Sequence, residues 1–184
     1  PAFADYDGDG DFDLFVSSHS STDFTARIFL FENTGSAASP AFKLTNDDFL
    51  GFSTSRLYNL KIQFADMNGD QTIDLVFTGT NFDNGVTNLY YLDNQSQSSL
   101  NFNGGSIRML DFQLTNSENL YVIDINGDGH LDAAITSSDG VHVLVGDGTG
   151  DFSTAAIISG LNSPRAITLG DINSDGVLDI LVSE

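Results

Sequence analysis

The sequence predicts an all-β fold assembled from short antiparallel sheets that repeat along the chain. A nine-residue acidic segment occurs four times, beginning at Asp5, Asp66, Asp124 and Asp171. Short apolar runs flank each copy, with the two-residue alternation of strands before it and a continuous buried run after it. No segment combines helix caps with an apolar period of about 3.6 residues, and the chain has only three prolines. Each unit is therefore expected to be a strand, an acidic loop and a second strand.

Each acidic segment places oxygen-bearing side chains at its first, third, fifth and ninth positions. The four copies have the sequences DYDGDGDFD, DMNGDQTID, DINGDGHLD and DINSDGVLD. A hard divalent cation, calcium above all, takes about six to eight oxygen ligands, and a backbone carbonyl at position seven is a usual one. The sequence therefore predicts up to four Ca²⁺ ions, held by Asp5, Asp7, Asp9, Asp11 and Asp13; by Asp66, Asn68, Asp70, Thr72 and Asp74; by Asp124, Asn126, Asp128, His130 and Asp132; and by Asp171, Asn173, Asp175, Val177 and Asp179.

The sixth position must turn sharply, which favours glycine. Three copies have Gly10, Gly129 and Gly176 there, but the second has Gln71. We therefore expect the second loop to be strained or wound differently. Whether calcium occupies residues 66–74 is left open.

Two other interpretations of the loops are weaker. An EF-hand has a bidentate Glu at position twelve, whereas the equivalent residues here are apolar. Asp-Gly pairs also close ordinary hairpins, but four copies with the same oxygen spacing and apolar flanks exceed what a turn requires. The position-twelve residues are Val16, Phe77, Ile135 and Val182.

The remaining elements of each unit follow in one order. After the loop and its apolar run come a polar stretch, a third strand, a turn and a Phe that opens the next element. The predicted third strands are 27–31, 88–92 and 141–145, and the Phe residues are Phe42, Phe102 and Phe152. Successive copies begin 61, 58 and 47 residues apart, a period typical of propeller blades or another stacked array. Units of about four strands must stack to share a core, because a lone sheet leaves one face and two edges exposed.

This pattern resembles the FG-GAP or VCBS repeat, the calcium-binding blade of integrin-α-like β-propellers. Phe64-Ala65-Asp66 and Leu169-Gly170-Asp171 stand where that family has its Phe-Gly element, and VGDGTGDF at 145–152 matches its second hallmark. The resemblance implies that residues 1–184 are part of one β-propeller domain, commonly seven-bladed, with about three to four repeats and calcium loops at 5–13, 66–74, 124–132 and 171–179. We expect a segment of a larger propeller, since three complete repeats are too few to close such a ring. Partner chains that supply the missing blades are the alternative.

The charge and composition limit which classes of partner this protein is expected to bind. The chain has 26 acidic and six basic residues, a net charge of −20, and 14 of the acids lie in the four loops. Such a surface repels nucleic acid and anionic membranes, and no apolar run approaches the ~20 residues of a membrane span. Weak calcium sites of about 10⁻⁴–10⁻³ M fill outside the cell. These arguments predict a secreted or cell-surface protein that does not bind nucleic acid and does not insert into a membrane.

The functional prediction is a non-catalytic module rather than an enzyme. The clustered carboxylates are assigned to calcium, and no other catalytic constellation is evident. We expect structural calcium in an extracellular β-propeller for protein–protein interaction or cell-surface adhesion, with a protein or glycan partner. The alternative is a carbohydrate-binding propeller, or the accessory domain of a secreted polysaccharide-active enzyme. Phe24, Phe52 and Phe82 lie in predicted loops where an exposed ring could stack on a sugar.

Overall fold

The computed structural model describes residues 1–102 and 107–184. It contains three four-stranded antiparallel sheets and one two-stranded sheet, which confirms the all-β prediction. The strands are Ala2–Ala4 (β1), Asp13–His19 (β2), Ala26–Asn33 (β3), Phe42–Asn46 (β4), Leu57–Ala65 (β5), Asp74–Asn81 (β6), Thr87–Leu92 (β7), Arg108–Leu114 (β8), Asn119–Ile123 (β9), Asp132–Ser137 (β10), Gly140–Gly146 (β11), Phe152–Ile158 (β12), Ile167–Gly170 (β13) and Asp179–Val182 (β14).

Strands that are neighbours in sequence are neighbours in each sheet. The orders are β1-β2-β3-β4, β5-β6-β7-β8 and β9-β10-β11-β12, and β13 pairs with β14. Each acidic loop joins the first two strands of its sheet, and its ninth residue is the first residue of the second strand. Because the strands alternate in direction, the acidic loops all lie at one end of their sheets. The second-to-third turns and the links between sheets lie at the opposite end.

The sheets pack face to face through alternating apolar side chains. Phe15 and Leu30 of the first sheet pack against Leu75 and Phe77 of the second. On its other face the second sheet presents Val76 and further apolar residues to the third sheet. Strand β6 is consequently buried on both faces along almost its whole length. Full burial of such a side chain stabilises the fold by about 1.5–3 kcal/mol, so the period-two pattern is what holds consecutive sheets together.

The third interface follows the same pattern with a smaller partner. Ala134 and Val143 of the third sheet pack against Ile167 of β13, with Ile180 and Val182 of β14 partly buried beside them. The stack of four-stranded sheets is consistent with consecutive propeller blades. The seven-bladed ring, the domain boundaries and the origin of any further blades stay predictions.

Two sequence expectations about aromatic residues were wrong. The fourth strand of the second sheet begins at Arg108, whereas Phe102 lies outside any strand, is buried, and contacts the ring of Phe49 at 6.2 Å. Phe52, expected on a loop surface, is only 1% exposed. Phe52 lies in a short 3-10 helix over Phe49–Thr54, and its ring packs edge-on against the ring of Phe77 with the centroids 5.1 Å apart. In the described part of the chain, no helix has the length and apolar character needed to cross a membrane.

Candidate metal loops

The first-position carboxylate of each loop anchors the turn from inside. In the first loop, Gly8 N donates to Oδ1 of Asp5 at 2.7 Å and Gly10 N donates to its Oδ2 at 3.0 Å. The sixth-position N–H makes the same bond to Oδ2 in the other three loops, at 2.9 Å each. A short acidic side chain that bonds backbone N–H groups a few residues ahead stabilises a turn locally. All four loops therefore share one winding.

The third and fifth side chains extend this local bonding. In the first loop, Asp9 N donates to Oδ1 of Asp7 at 3.2 Å, and Asp11 N donates to Oδ1 of Asp9 at 3.0 Å. The equivalent pairs occur in the second, third and fourth loops at 2.8–3.0 Å. Each bond uses one lone pair of a carboxylate or amide oxygen. The remaining lone pairs stay available to a cation.

The ninth-position carboxylate joins the loop to the end of the third strand of the same sheet or to the turn just after that strand. Asp13 accepts a hydrogen bond from Tyr6 N at its Oδ2 and one from Asn33 N at its Oδ1, both 2.7 Å. Asp74 bonds Met67 N at 3.0 Å and Asn94 N at 2.9 Å in the same way. In the third loop, Asp132 accepts both equivalent hydrogen bonds, one from the loop and one from the third strand. In the fourth loop, Asp179 accepts the equivalent hydrogen bond from the loop.

These ninth-position groups are buried in the first three loops. Asp13 is 1% exposed and Asp74 fully buried. Burial raises the pKa of the Asp13 carboxyl, and it raises that of Asp74 to about 6 despite the opposing backbone hydrogen bonds. The backbone donors hold such a buried carboxylate in place, and a nearby cation would further stabilise its ionised form.

The first loop brings three carboxylates close enough to share one ion. Oxygen atoms of Asp5, Asp7 and Asp13 all lie within 4.8 Å of one another. Among the described residues, these three are the one group of three or more His, Cys, Asp or Glu side chains whose ligand atoms lie this close together. Ionised carboxylates at such distances repel each other, so a divalent cation would stabilise the arrangement. The other loops have Asn at position three, namely Asn68, Asn126 and Asn173.

The predicted position-seven residues differ in their surroundings. Asp11 is 8% exposed, and its Oδ1 has no hydrogen-bond partner in the described part of the chain. Burial, followed by the neighbouring Asp9 and Asp13, raises the pKa of this carboxyl. Thr72 is also buried, whereas Val177 is exposed. The use of their carbonyls as ligands, and that of His130, stays a prediction.

The second loop is strained rather than wound differently. Gln71 has φ of 71°, in the same left-handed region as Gly10 at 93°. A side chain in that region is disfavoured because its Cβ crowds the backbone. Ser174, at position four of the fourth loop, also has a left-handed φ of 62°. The sequence predicts strain at Gln71, whereas the strain at Ser174 is seen only in the structure.

Further polar groups surround the second loop. Asn68 donates from Nδ2 to Oδ1 of Asp93 at 2.9 Å. The Tyr91 hydroxyl lies 3.2 Å from Oδ2 of Asp74 and 3.1 Å from Oδ1 of Asp93, so its single proton is shared between these two acceptors. Burial, then the charges of Asp74 and Asp93, raises the pKa of Tyr91. Sequence reasoning missed Asp93 and Tyr91, because they lie 17 or more residues from the loop residues that they contact.

The amino-acid sequence that forms these loops and strands matches a known protein family. The family described as FG-GAP-like repeat matches the chain over residues 5–77 and 124–182. These two stretches contain all four acidic loops and cover more than half of the sequence. A search of curated proteins found no match.

Proposed function

We propose, since this chain belongs to the FG-GAP-like repeat family, that its acidic loops bind structural Ca²⁺ in an extracellular domain for protein–protein interaction or cell-surface adhesion. The observation that carries the proposal is the cluster of Asp5, Asp7 and Asp13, with oxygens within 4.8 Å of one another. All three are hard oxygen donors, which suits calcium better than a softer metal. The same backbone bonding in the other loops supports up to three further ions.

The structural role follows from the ninth-position carboxylates. Asp13 bonds the start of its loop and the last residue of the third strand, and Asp74 bonds the start of its loop and a residue just beyond the third strand. An ion that also used these oxygens would tie three segments of one sheet together. Because the unfolded chain lacks such a site, binding free energy would appear as folding free energy.

We assign no catalytic role to the loop carboxylates. Each first- and ninth-position group already accepts hydrogen bonds from backbone N–H groups. A general acid or base must instead be free to exchange a proton with a substrate. The ions would therefore stabilise the sheets, and the surface of the sheets would contact a protein or glycan at the cell surface.

The location and partners rest on charge and on the strength of the sites. The net charge of −20 disfavours nucleic acid and insertion into anionic membranes. Mixed Asp and Asn ligands suit weak sites that fill at extracellular calcium concentrations. The carbohydrate-binding alternative is supported by a different region of the molecule, described below.

Calcium titration with thermal unfolding tests the proposal. We expect millimolar Ca²⁺ to raise the melting temperature of EGTA-treated protein by many degrees, and calorimetry to report binding of up to four ions. Asp5→Ala should remove one ion and part of that stabilisation. Asp47→Ala is a matched control, because Asp47 is exposed and, among the described residues, makes only a 3.6 Å ion pair with Arg27. Superimposable melting curves in calcium and in EGTA would refute the proposal.

A further inference from the structure

A recess lies at the end of the sheets opposite the acidic loops. It is bounded by the β2–β3 turn, the β6–β7 turn and the segment that leads into β5. Its volume is about 270 Å³, comparable to the lower end of the range for small-molecule sites. Residues from two adjacent sheets therefore form one concave site.

Two exposed aromatic rings form its apolar side. Phe24 of the β2–β3 turn and Phe82 of the β6–β7 turn have ring centroids 5.7 Å apart, and Phe24 packs edge-on against Tyr58 at 5.5 Å. Phe24 is 42% and Phe82 47% exposed. Large aromatic side chains gain most from burial, so a pair left this exposed marks a surface that a ligand can cover.

An arginine–carboxylate pair holds one ring in position. The Arg56 guanidinium lies over Phe82, 5.0 Å from the ring centroid. It donates from Nε to Oδ2 of Asp83 at 2.8 Å and from a terminal nitrogen to Oδ1 of the same carboxylate. Phe82 N also donates to the Arg56 carbonyl at 2.9 Å. A bidentate pair of this kind fixes orientation as well as charge.

Backbone strain occurs at two of the bulky residues that line the recess. Phe24 has φ of 55° and Arg56 has φ of 59°, a region that is unusual for bulky side chains. Such strain costs free energy and is often retained where a side chain has a function.

The equivalent turn of the second sheet shows that the strain at Phe24 is not required by the fold. In the β2–β3 turn, Ser20 N donates to the Thr25 carbonyl and Phe24 N donates to the Ser20 carbonyl. In the β6–β7 turn, Asn81 N donates to the Val86 carbonyl and Gly85 N donates to the Asn81 carbonyl. Gly85, with φ of 71°, thus occupies the position of Phe24. The turn can be made with glycine, and the first sheet has an exposed phenylalanine instead.

Polar groups line the rest of the recess. Asp23, Thr25, Ser53 and Thr54 contribute a carboxylate and three hydroxyl groups. The Asp23 carboxylate accepts hydrogen bonds from Thr25 Oγ1 at 2.8 Å and Thr25 N at 3.1 Å. Hydrogen bonds from Ser20, then Thr25, lower its pKa. This carboxylate therefore stays an ionised acceptor at neutral pH.

We propose that this recess binds a neutral saccharide, with a sugar ring against Phe24 and Phe82 and its hydroxyl groups bonded to Asp23, Arg56 and the hydroxyl side chains. A sugar ring has an apolar C–H face and a polar edge, which matches an aromatic side next to a polar side. Anionic ligands are disfavoured by Asp23 and by the net charge of −20. Cationic ligands are disfavoured because the positive charge of the Arg56 guanidinium, 5.0 Å from the Phe82 ring centroid, would repel them. The site uses no loop carboxylate, so it goes beyond the proposed calcium function and does not depend on it.

Titration of the calcium-loaded protein with a panel of methyl glycosides and short neutral oligosaccharides tests this site. We expect saturable binding to at least one member, by calorimetry and by saturation-transfer NMR. Phe82→Ala and Phe24→Gly should each weaken it about tenfold or more. Phe24→Gly is the sharper variant, because glycine suits the left-handed backbone and should keep or raise stability. Phe42→Ala is the matched control, since Phe42 is also 42% exposed but lies on β4.

Several results would overturn the saccharide site. The first is that the folded protein binds no member of the panel. The second is that binding survives both Phe24→Gly and Phe82→Ala. The third is that tetramethylammonium or an apolar peptide binds but no sugar does. Repeating the titration in EGTA, at a temperature where circular dichroism shows a folded protein, separates the two proposals. Sugar binding that persists without calcium supports the site whether or not the loops bind the ion.

Discussion

The first two acidic loops have different sequences and the same winding. The first has Gly10 at its sixth position and Asp7 at its third, and the second has Gln71 and Asn68. Even so, the sixth-position N–H donates to the first-position carboxylate at 3.0 Å in one and 2.9 Å in the other. The carboxylate bonds at positions one and nine therefore determine the winding, and glycine only lowers its cost.

The two loops differ more in what surrounds them. A segment of the second sheet crosses to the first loop, where Leu100 N donates to the Tyr6 carbonyl at 2.9 Å. A Cβ on Gly8 would lie 1.7 Å from the Ser98 carbonyl oxygen, whereas one on Gly69 would meet nothing within 4 Å. The first loop is thus held from the neighbouring sheet, and the second from its own sheet through Tyr91 and Asp93.

The largest effect should come from the ninth-position carboxylates. Asp74→Ala leaves the buried Met67 and Asn94 N–H groups without their acceptor and removes one of the two acceptors near the Tyr91 hydroxyl. Since each unpaired N–H group costs about 1–3 kcal/mol, we expect at least about 2 kcal/mol of lost stability by urea denaturation. Asp13→Ala, which removes two such bonds, should cost somewhat less. Exposed Asp9 accepts a single loop bond, and an Asp9→Ala loss as large as that of Asp74→Ala would contradict this account.

Alanine at position four should separate the two loops. Gly8 and Gly69 both have left-handed backbones, with φ of 82° and 75°, so the backbone cost of about 1 kcal/mol is common to both. Only Gly8→Ala also meets the Ser98 carbonyl. We expect Gly69→Ala to cost about 1 kcal/mol and Gly8→Ala about 1–3 kcal/mol more, as overpacking does. Equal melting temperatures for the two variants would show that the crossing segment does not hold the first loop.

Exchange of the sixth-position residues should have a smaller, opposite effect in each loop. Gln71→Gly relieves the left-handed side chain and should stabilise the protein by about 0.5–1 kcal/mol, and Gly10→Gln should destabilise it by a similar amount. Denaturation in EGTA measures the backbone effect alone. A loss of stability in Gln71→Gly would mean that the Gln71 side chain has a role beyond its backbone.

The smallest effect concerns a carboxylate remote from both loops. Burial alone would raise the pKa of Asp139, but hydrogen bonds from Ser137, His142 and Thr115 outweigh it and lower the pKa to about 2. A depressed acid stabilises the fold above its unfolded pKa of about 3.8 and loses that contribution as the pH falls through about 2. Asp139→Asn should therefore lower the melting temperature slightly at pH 5, and the difference should shrink toward pH 2. A difference that grows on acidification would contradict the assignment.

The local features of this protein were predictable from its sequence. The four loops, the strands on either side of them, the apolar face of each strand and the FG-GAP resemblance depend on residues within about ten positions of one another. Period-two alternation places Phe15 and Phe77 in the core, and side chains such as Asp5 wind their own loop. These interactions need no distant partner, so their pattern is visible in the linear chain.

The tertiary structure decided the rest. It determined that Asp13 and Asp74 bond residues at or just beyond the end of the third strand, that Ser98 lies against Gly8, and that Phe52 is buried. It also joined Phe24 to Phe82 at 5.7 Å across two sheets. Each of these contacts links residues about 20 to 90 positions apart, and their meeting depends on how consecutive sheets stack. A sequence pattern specifies which face of a strand is apolar, but the stacking of the sheets decides which residues meet across that face.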